Sequence, residues 1–165
     1  MYVHDQAVAF LLTLARALHR YGTPAHRLES ALSTTAERLG IQAQFFALPT
    51  SLHASFGESP DTQAHLMRVD PGEVNLEKLA RLDAIAEQVA RARLPIDRAL
   101  DAVQRTVDQP PRYGNALTTV CWGVAAGTSA IFFGGGWREV FVALLIGTLT
   151  GLLVANAVIP PRKAL

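Results

Sequence analysis

The sequence predicts an α+β protein in two parts, a first domain over residues 1–111 and a transmembrane helical hairpin over residues 112–165. Charge distribution is the first observation behind this division. The first part carries 11 Lys and Arg against 13 Asp and Glu, whereas the second carries four basic residues and one acidic residue. The second observation is that short periodic segments give way to two long apolar runs. We therefore expect the two parts to lie in different solvents.

Two helices are predicted at the start of the first domain. Apolar side chains over residues 3–21 recur at helical spacing, and Gly22 is a natural helix end. A second helical stripe follows and ends at Gly40; it consists of Leu28, Leu32, Ala36 and Leu39. Because only a short segment separates the two, we expect a hairpin of helices.

A period of two then predicts a small antiparallel meander of three strands. The first strand runs from Ile41 to Ala47, the second from Leu52 to Phe56, and the third from His65 to Val69. Pro49 and Thr50 provide the turn between the first two strands.

Two further helices are predicted before the membrane part. Asn75 is placed to cap the first of them, and Pro95 begins the second. Pro110 and Pro111 end the second helix because proline cannot continue a helical hydrogen-bond pattern.

The second part contains two charge-free runs, 25 residues from Tyr113 to Trp137 and 22 residues from Val140 to Pro161. A helix needs about 20 apolar residues to cross a hydrocarbon layer of roughly 30 Å. We therefore expect spans at about residues 115–133 and 139–159, joined by a glycine-rich turn. The alternative is a pair of helices buried in a soluble protein. The rest of the chain is too small to cover two such helices on every side.

The flanking charges predict the orientation of these spans. The turn contains Arg138 offset by Glu139, whereas five basic residues flank the pair at its chain ends: Arg98, Arg105, Arg112, Arg162 and Lys163. The positive-inside bias then places both chain ends in the cytoplasm. The amino terminus lacks the charge order of a signal peptide, so we expect the first domain to be cytoplasmic as well.

Small and polar residues distinguish the two spans. Gly123 and Gly127 lie four apart in the first, as do Gly147 and Gly151 in the second, which predicts close helix packing. The polar side chains are candidates for lining a substrate path: Thr118, Thr119, Thr128, Ser129, Thr148, Thr150 and Asn156. The alternative is that these groups bond carbonyls of their own helix.

The sequence contains little that indicates catalysis. No histidine falls in a metal-ligand spacing, and Cys121 is the single cysteine, so we expect no metal, no cofactor and no catalytic residue. A hydrolytic site could be composed of Ser51, His53, Ser55 and Asp61, but exposed strand faces carry such residues routinely. A membrane-anchored hydrolase therefore stays an alternative. The mildly acidic first domain argues against nucleic acid as a partner.

The order of the segments resembles the threonine/serine exporter family. Six motifs carry this resemblance: Gly22-Thr-Pro-Ala-His-Arg-Leu-Glu29, Phe45-Phe-Ala-Leu-Pro-Thr50, Arg68-Val69, Asn75-Leu-Glu-Lys-Leu79, Pro110-Pro-Arg-Tyr113 and Phe133-Gly-Gly-Gly-Trp137. The residues that match family positions outside the membrane are Arg27, Glu29, Pro49, Thr50 and Arg68.

The resemblance implies export of small polar metabolites, such as threonine, serine or similar small organic acids, across a bacterial inner membrane. In the family the pattern continues into further membrane helices, and two helices cannot enclose a solute path. The resemblance therefore implies a subunit or fragment of a lipid-embedded, oligomeric exporter. Its partners would be further transmembrane helices from the same family or from a second subunit. A non-catalytic membrane assembly module is the other alternative.

Overall fold

The computed structural model describes residues 2–58, 60, 62–110 and 112–157. The chain divides into two compact units, Met1–Gln109 and Pro110–Leu165. The division lies close to the change in charge and hydropathy along the sequence. Among the described residues the fold is α+β as predicted, with six helices and one three-stranded antiparallel sheet.

The first unit contains four helices and three strands, in an order that matches the predicted one. The elements are α1 (Tyr2–Arg20), α2 (Ala25–Arg38), β1 (Ala43–Leu48), β2 (Ser51–Phe56), β3 (Gln63–Arg68), α3 (Leu76–Ala90) and α4 (Ile96–Asp108).

Helix α1 is the central element of the first unit. It packs against α2, α3, α4 and β2, and its side chains Phe10, Leu11, Leu14 and Leu18 are completely buried. Because neighbours cover several sides of α1, more of this helix is buried than the single predicted stripe.

The sheet has the order β1-β2-β3, and the side chains Phe45, Leu52 and Phe56 on its inner face are buried. Leu48 pairs with Ser51, so Pro49 and Thr50 form a two-residue turn as predicted. Strand β3 begins at Gln63, two residues before the predicted start. The prediction missed these two residues because both are exposed, so they show no alternation of buried and exposed side chains.

The second unit consists of two helices, α5 (Asn115–Phe132) and α6 (Trp137–Ala157), which pack against each other. In the part of the chain that the structure describes, one helix is long and apolar enough to cross a membrane, over residues Trp137–Asn156. Only 11% of that segment is buried, so α6 is not enclosed as the core helix of a globular domain would be.

The prediction of two membrane-spanning helices therefore needs correction. The structure supports a candidate span for α6, the second predicted segment, and not for α5. Helix α5 is 18 residues long, three residues shorter than α6, and it carries asparagine, glycine and hydroxyl residues along its length. The end of the predicted second span, residues 158–159, lies outside the described residues.

Candidate functional site

The contact between α5 and α6 is built on small residues. Thr119, Gly123 and Gly127 are buried on α5, and Gly147 and Gly151 are buried on α6. All four glycines identified in the sequence thus lie in one helix–helix contact. Gly147 lies against Gly123 and Gly151 against Thr119, so α5 and α6 run antiparallel.

Two of these glycines bring the helix backbones into direct contact. A Cβ atom at Gly147 would lie 2.7 Å from the carbonyl oxygen of Trp122, and one at Gly151 would lie 3.0 Å from the Cα of Thr119. A Cβ at Gly127 would instead lie 3.6 Å from the Cβ of Leu144, an ordinary van der Waals distance. Close approach is therefore required at Gly147 and Gly151 but not at Gly127.

The polar side chains of α5 and α6 bond mostly to their own helix. Each of six candidates for the substrate path donates to a carbonyl three or four residues earlier: Thr118, Thr128, Ser129, Thr148, Thr150 and Asn156. These bonds satisfy the donors locally, as the alternative reading expected, and leave oxygen lone pairs free to accept. The seventh candidate, Thr119, is buried against Gly151.

The outward faces of the two helices differ in character. At about 3.6 residues per turn, the exposed residues Thr118, Cys121, Ala125 and Thr128 lie on the side of α5 opposite Gly123. The corresponding side of α6 carries exposed Leu145, Leu149 and Leu152. At these positions α5 presents small and hydroxyl-bearing side chains and α6 presents large aliphatic ones. Helix α5 also exposes large apolar residues, among them Phe132 on the same side and Val124 beside it.

In the first unit, α2 and α1 both reach the end of strand β1. The carboxylate of Glu29 accepts a 2.8 Å hydrogen bond from the backbone nitrogen of Ala47. The Nε2 atom of His19 lies 2.7 Å from the carbonyl oxygen of Leu48. These two contacts hold the strand that leads into the Pro49-Thr50 turn.

The other motif residues of the first unit lie at its surface. The carbonyl of Thr50 accepts a 3.0 Å hydrogen bond from the nitrogen of Val69, which attaches the turn to the end of β3. Arg27 and Pro49 are exposed, and Arg68 forms an exposed ion pair of 3.8 Å with Asp70. Pro49, Thr50 and Arg68 thus lie in or next to the β1–β2 turn, and Glu29 holds the strand that leads into it.

A lysine fixes the end of α4. The Nζ atom of Lys78 donates to the carbonyl of Val107 at 2.7 Å and to the hydroxyl of Tyr21 at 3.2 Å. It also lies 5.0 Å from the centre of the Tyr21 ring, a distance typical of a cation–π contact. A cation beside the last carbonyls of a helix is favourable because of the helix dipole.

Three of the four residues considered for a hydrolytic site lie in the described part of the chain, and they are not joined by hydrogen bonds there. Ser51, His53 and Ser55 lie on the outer face of β2, while Asp61 lies outside the described residues. The ring of His53 packs edge-on against Phe46, with 6.4 Å between the ring centres. No hydrogen bond joins His53 to either serine in the described part of the chain. Within that same part, no group of three or more His, Cys, Asp or Glu could hold a metal ion.

Three structurally important residues were missed in the sequence. They are His19, Tyr21 and Lys78. Their side chains bond to backbone atoms that are far away in the sequence, so no local sequence pattern indicates these contacts. Lys78 does lie within the Asn75–Leu79 motif, which is the one sequence signal that could have drawn attention to it.

Comparison with known families gives one match that covers most of the chain. The profile of the family described as "Putative threonine/serine exporter" matches residues 9–159. No solved structure matches this chain.

Several fungal proteins are similar in sequence to this chain. An uncharacterized protein of Schizosaccharomyces pombe is 30% identical over 97% of this chain and 21% of its own length. Pheromone-regulated membrane protein 10 of Pichia sorbitophila is 30% identical over 90% of this chain and 15% of its own length. The protein of that name from Debaryomyces hansenii is 31% identical over 87% of this chain and 14% of its own length.

This chain therefore spans only about a fifth, or less, of the curated relatives it matches. Two of these relatives are named as membrane proteins. The expected bacterial inner membrane is not supported by fungal relatives and stays a prediction.

Proposed function

Because this chain belongs to the threonine/serine exporter family, we propose that it is part of a membrane exporter of small polar metabolites. The substrate class is that of threonine, serine and similar small organic acids. The observation that carries the proposal furthest is the glycine-lined contact between α5 and α6, combined with the exposure of the apolar surface of α6. Helix pairs of this kind are typical of proteins that pack in lipid.

In this proposal α5 lies in the bilayer beside α6, although only α6 of the described helices is long and apolar enough to cross a membrane by itself. Two features support placing α5 there. The segment from Tyr113 to Trp137 carries no charge, and α5 exposes large apolar side chains, among them Val120, Val124 and Ile131. Exposed surface of this kind is costly in water, whereas lipid tails solvate it well.

The unlike outward faces of the two helices support different partners for each. Leu145, Leu149 and Leu152 of α6 suit lipid acyl chains. Thr118 and Thr128 of α5 suit further helices or the substrate, because their lone pairs can still accept hydrogen bonds. Two helices do not enclose a path, so α5 faces the additional transmembrane helices and the solute, and α6 faces lipid.

The proposed topology has both ends of this chain segment in the cytoplasm of a bacterial cell. It rests on the basic residues that flank the helix pair, notably Arg105 and Arg112, against the neutralised pair Arg138 and Glu139 in the turn. The first unit would then lie on the cytoplasmic side.

Labelling with a membrane-impermeant thiol reagent tests this topology in a Cys121→Ser background. We expect Arg138→Cys to react from outside intact cells and Gln88→Cys, exposed on α3, to react only after lysis. Reaction at Gln88→Cys in intact cells would contradict the cytoplasmic location. Protection of Arg138→Cys in intact cells, with reaction after lysis, would contradict the crossing of α5.

Export of labelled threonine or serine from loaded cells tests the function in the complete exporter that contains this chain. We expect Thr128→Val, which keeps the shape of the side chain and removes its oxygen, to lower the export rate severalfold. Leu149→Ile on the lipid-facing side is the matched control and should leave the rate unchanged. Equal rates for Thr128→Val and the parent would remove Thr128 from the path, and absence of export by the parent would overturn the function.

A further inference from the structure

A groove of about 400 Å³ runs along the surface of the first unit between α1, β3 and α4. Its apolar part consists of Leu12, Met67 and Val107. Arg16 and Arg20 of α1 line the same groove. It thus combines an apolar surface with two guanidinium groups, and it is separate from the α5–α6 contact and from the β1–β2 turn.

Neither arginine is paired with an acidic side chain in the part of the chain that the structure describes. The two arginines lie four residues apart, so they share one face of α1 and repel each other. Ion pairs among the described residues include those of Arg68, Arg81 and Arg91, whereas no described carboxylate lies within 4.0 Å of Arg16 or Arg20. The groove therefore contains two guanidinium groups that form no ion pair with a described carboxylate.

One carboxylate, that of Asp108, lies at the edge of the groove, next in sequence to the lining residue Val107. Both oxygens of Asp108 accept hydrogen bonds from the side chain of Gln104, at 3.1 and 3.0 Å. Gln104 is itself a lining residue, so Asp108 contributes one negative charge at the edge of the groove without forming an ion pair with Arg16 or Arg20.

Arg20 is held in place by the segment that follows β3. The nitrogen of Gly72 donates a 3.0 Å hydrogen bond to the carbonyl of Arg20. A Cβ at position 72 would lie 3.2 Å from the Cγ of Arg20, so the arginine stem packs directly on the glycine. A side chain that is already ordered loses less conformational entropy when it binds a ligand.

We propose that this groove binds a small organic anion. A carboxylate or phosphate group of the ligand pairs with Arg16 and Arg20, because guanidinium groups bind oxyanions through paired hydrogen bonds. An apolar part of the ligand contacts Leu12, Met67 and Val107. The ligand thereby ties α1 to the last turn of α4, whose Val107 carbonyl is also held by Lys78.

Binding to the full chain in lipid nanodiscs tests this proposal, with phenyl phosphate as the probe and benzyl alcohol as its uncharged counterpart. We expect calorimetry at low salt to detect phenyl phosphate and not benzyl alcohol. The double variant Arg16→Gln, Arg20→Gln should weaken binding at least about tenfold, as expected for loss of charge-assisted hydrogen bonds. Arg98→Gln, which removes an exposed charge of α4 outside the groove, should leave binding within about twofold of the parent.

Lipid composition then identifies the source of the anion. If an anionic lipid headgroup fills the groove, phenyl phosphate will bind more weakly in phosphatidylglycerol discs than in phosphatidylcholine discs. The double variant will abolish that difference. If the ligand is a free metabolite, the affinity in the two discs will be equal.

Two results would overturn the proposal. The first is no binding of phenyl phosphate to the parent at about 10 mM, the range in which even weak sites are occupied. The second is equal binding by the parent and by a double variant that keeps the parent's unfolding temperature. Because neither measurement uses transport, failure here leaves the exporter assignment untouched.

Discussion

The carboxylate of Glu29 on α2 accepts a hydrogen bond from the backbone nitrogen of Ala47 on β1, with 2.8 Å between Oε1 and N. Strand β1 lies at one side of the sheet, and its outer backbone groups have no neighbouring strand among the described residues. A side chain from a helix thus takes the place of a strand at this position. The same glutamate belongs to the motif that resembles the exporter family, and in this chain its carboxylate bonds to the sheet.

We expect Glu29→Ala to lower the free energy of unfolding of the first unit by about 1–3 kcal/mol, because a partly buried amide loses an ionised acceptor. Glu29→Gln keeps an acceptor and should cost less. Hydrogen exchange of the β1 amides in the full chain measures the effect. Glu37→Ala, an exposed change on the same helix, is the control, and exchange as slow in Glu29→Ala as in this control would contradict the role.

The contact of Lys78 with the end of α4 gives a second prediction. Lys78→Met keeps the aliphatic stem and removes the bonds to Val107 and Tyr21, so it should destabilise the first unit by about 1.5–3 kcal/mol. Tyr21→Phe removes one hydroxyl and should cost about 0.5–1.5 kcal/mol. Chemical denaturation of the two single variants and the double variant measures the coupling. Strictly additive effects would show that the two side chains act independently.

The glycines of α5 and α6 give a third prediction, in which one substitution has different results at different positions. Gly147→Ala and Gly151→Ala should weaken the helix contact, because the added methyl group meets backbone atoms at 2.7 and 3.0 Å. Gly127→Ala should be tolerated, because its nearest neighbour, Leu144, lies at 3.6 Å. Thermal stability in detergent measures the difference. If all three variants behave alike, close backbone approach is not what these glycines provide.

His53 gives a fourth prediction, which separates a hydrolytic from a structural first unit. His53→Ala should leave export by the complete exporter unchanged, because no described hydrogen bond connects this ring to Ser51 or Ser55. Export rate and protein level are measured together. A severalfold loss of rate at an unchanged protein level would restore the hydrolytic alternative.

Local patterns in the sequence predict the elements of the fold well. The alternation around Phe45 and around Leu52 gives β1 and β2, and Asn75 caps α3 as expected, since its side chain accepts from the nitrogen of Lys78 at 3.0 Å. The four-residue spacing of the glycines also indicates their shared face. These features depend on residues close together in the chain, so they can be read without knowing the fold.

Contacts over long sequence separations could not be predicted in the same way. The bonds from Glu29 to Ala47 and from Lys78 to Val107 join residues 18 and 29 positions apart. Whether such groups meet depends on how the helices pack, which periodicity does not specify. The two-span prediction for the membrane part depended on the absence of charge, which does not by itself decide whether a helix such as α5 is long and apolar enough to cross a membrane.

The short turn between α5 and α6 has a consequence for biosynthesis. Only Phe133, Gly134, Gly135 and Gly136 separate the two helices, so α6 begins to leave the ribosome almost as soon as α5 is complete. Until α6 is made, the glycine face of α5 has no helix to pack against. On the proposed topology, the short turn lets the two helices pair as soon as both are complete, so that they act as one unit in the bilayer.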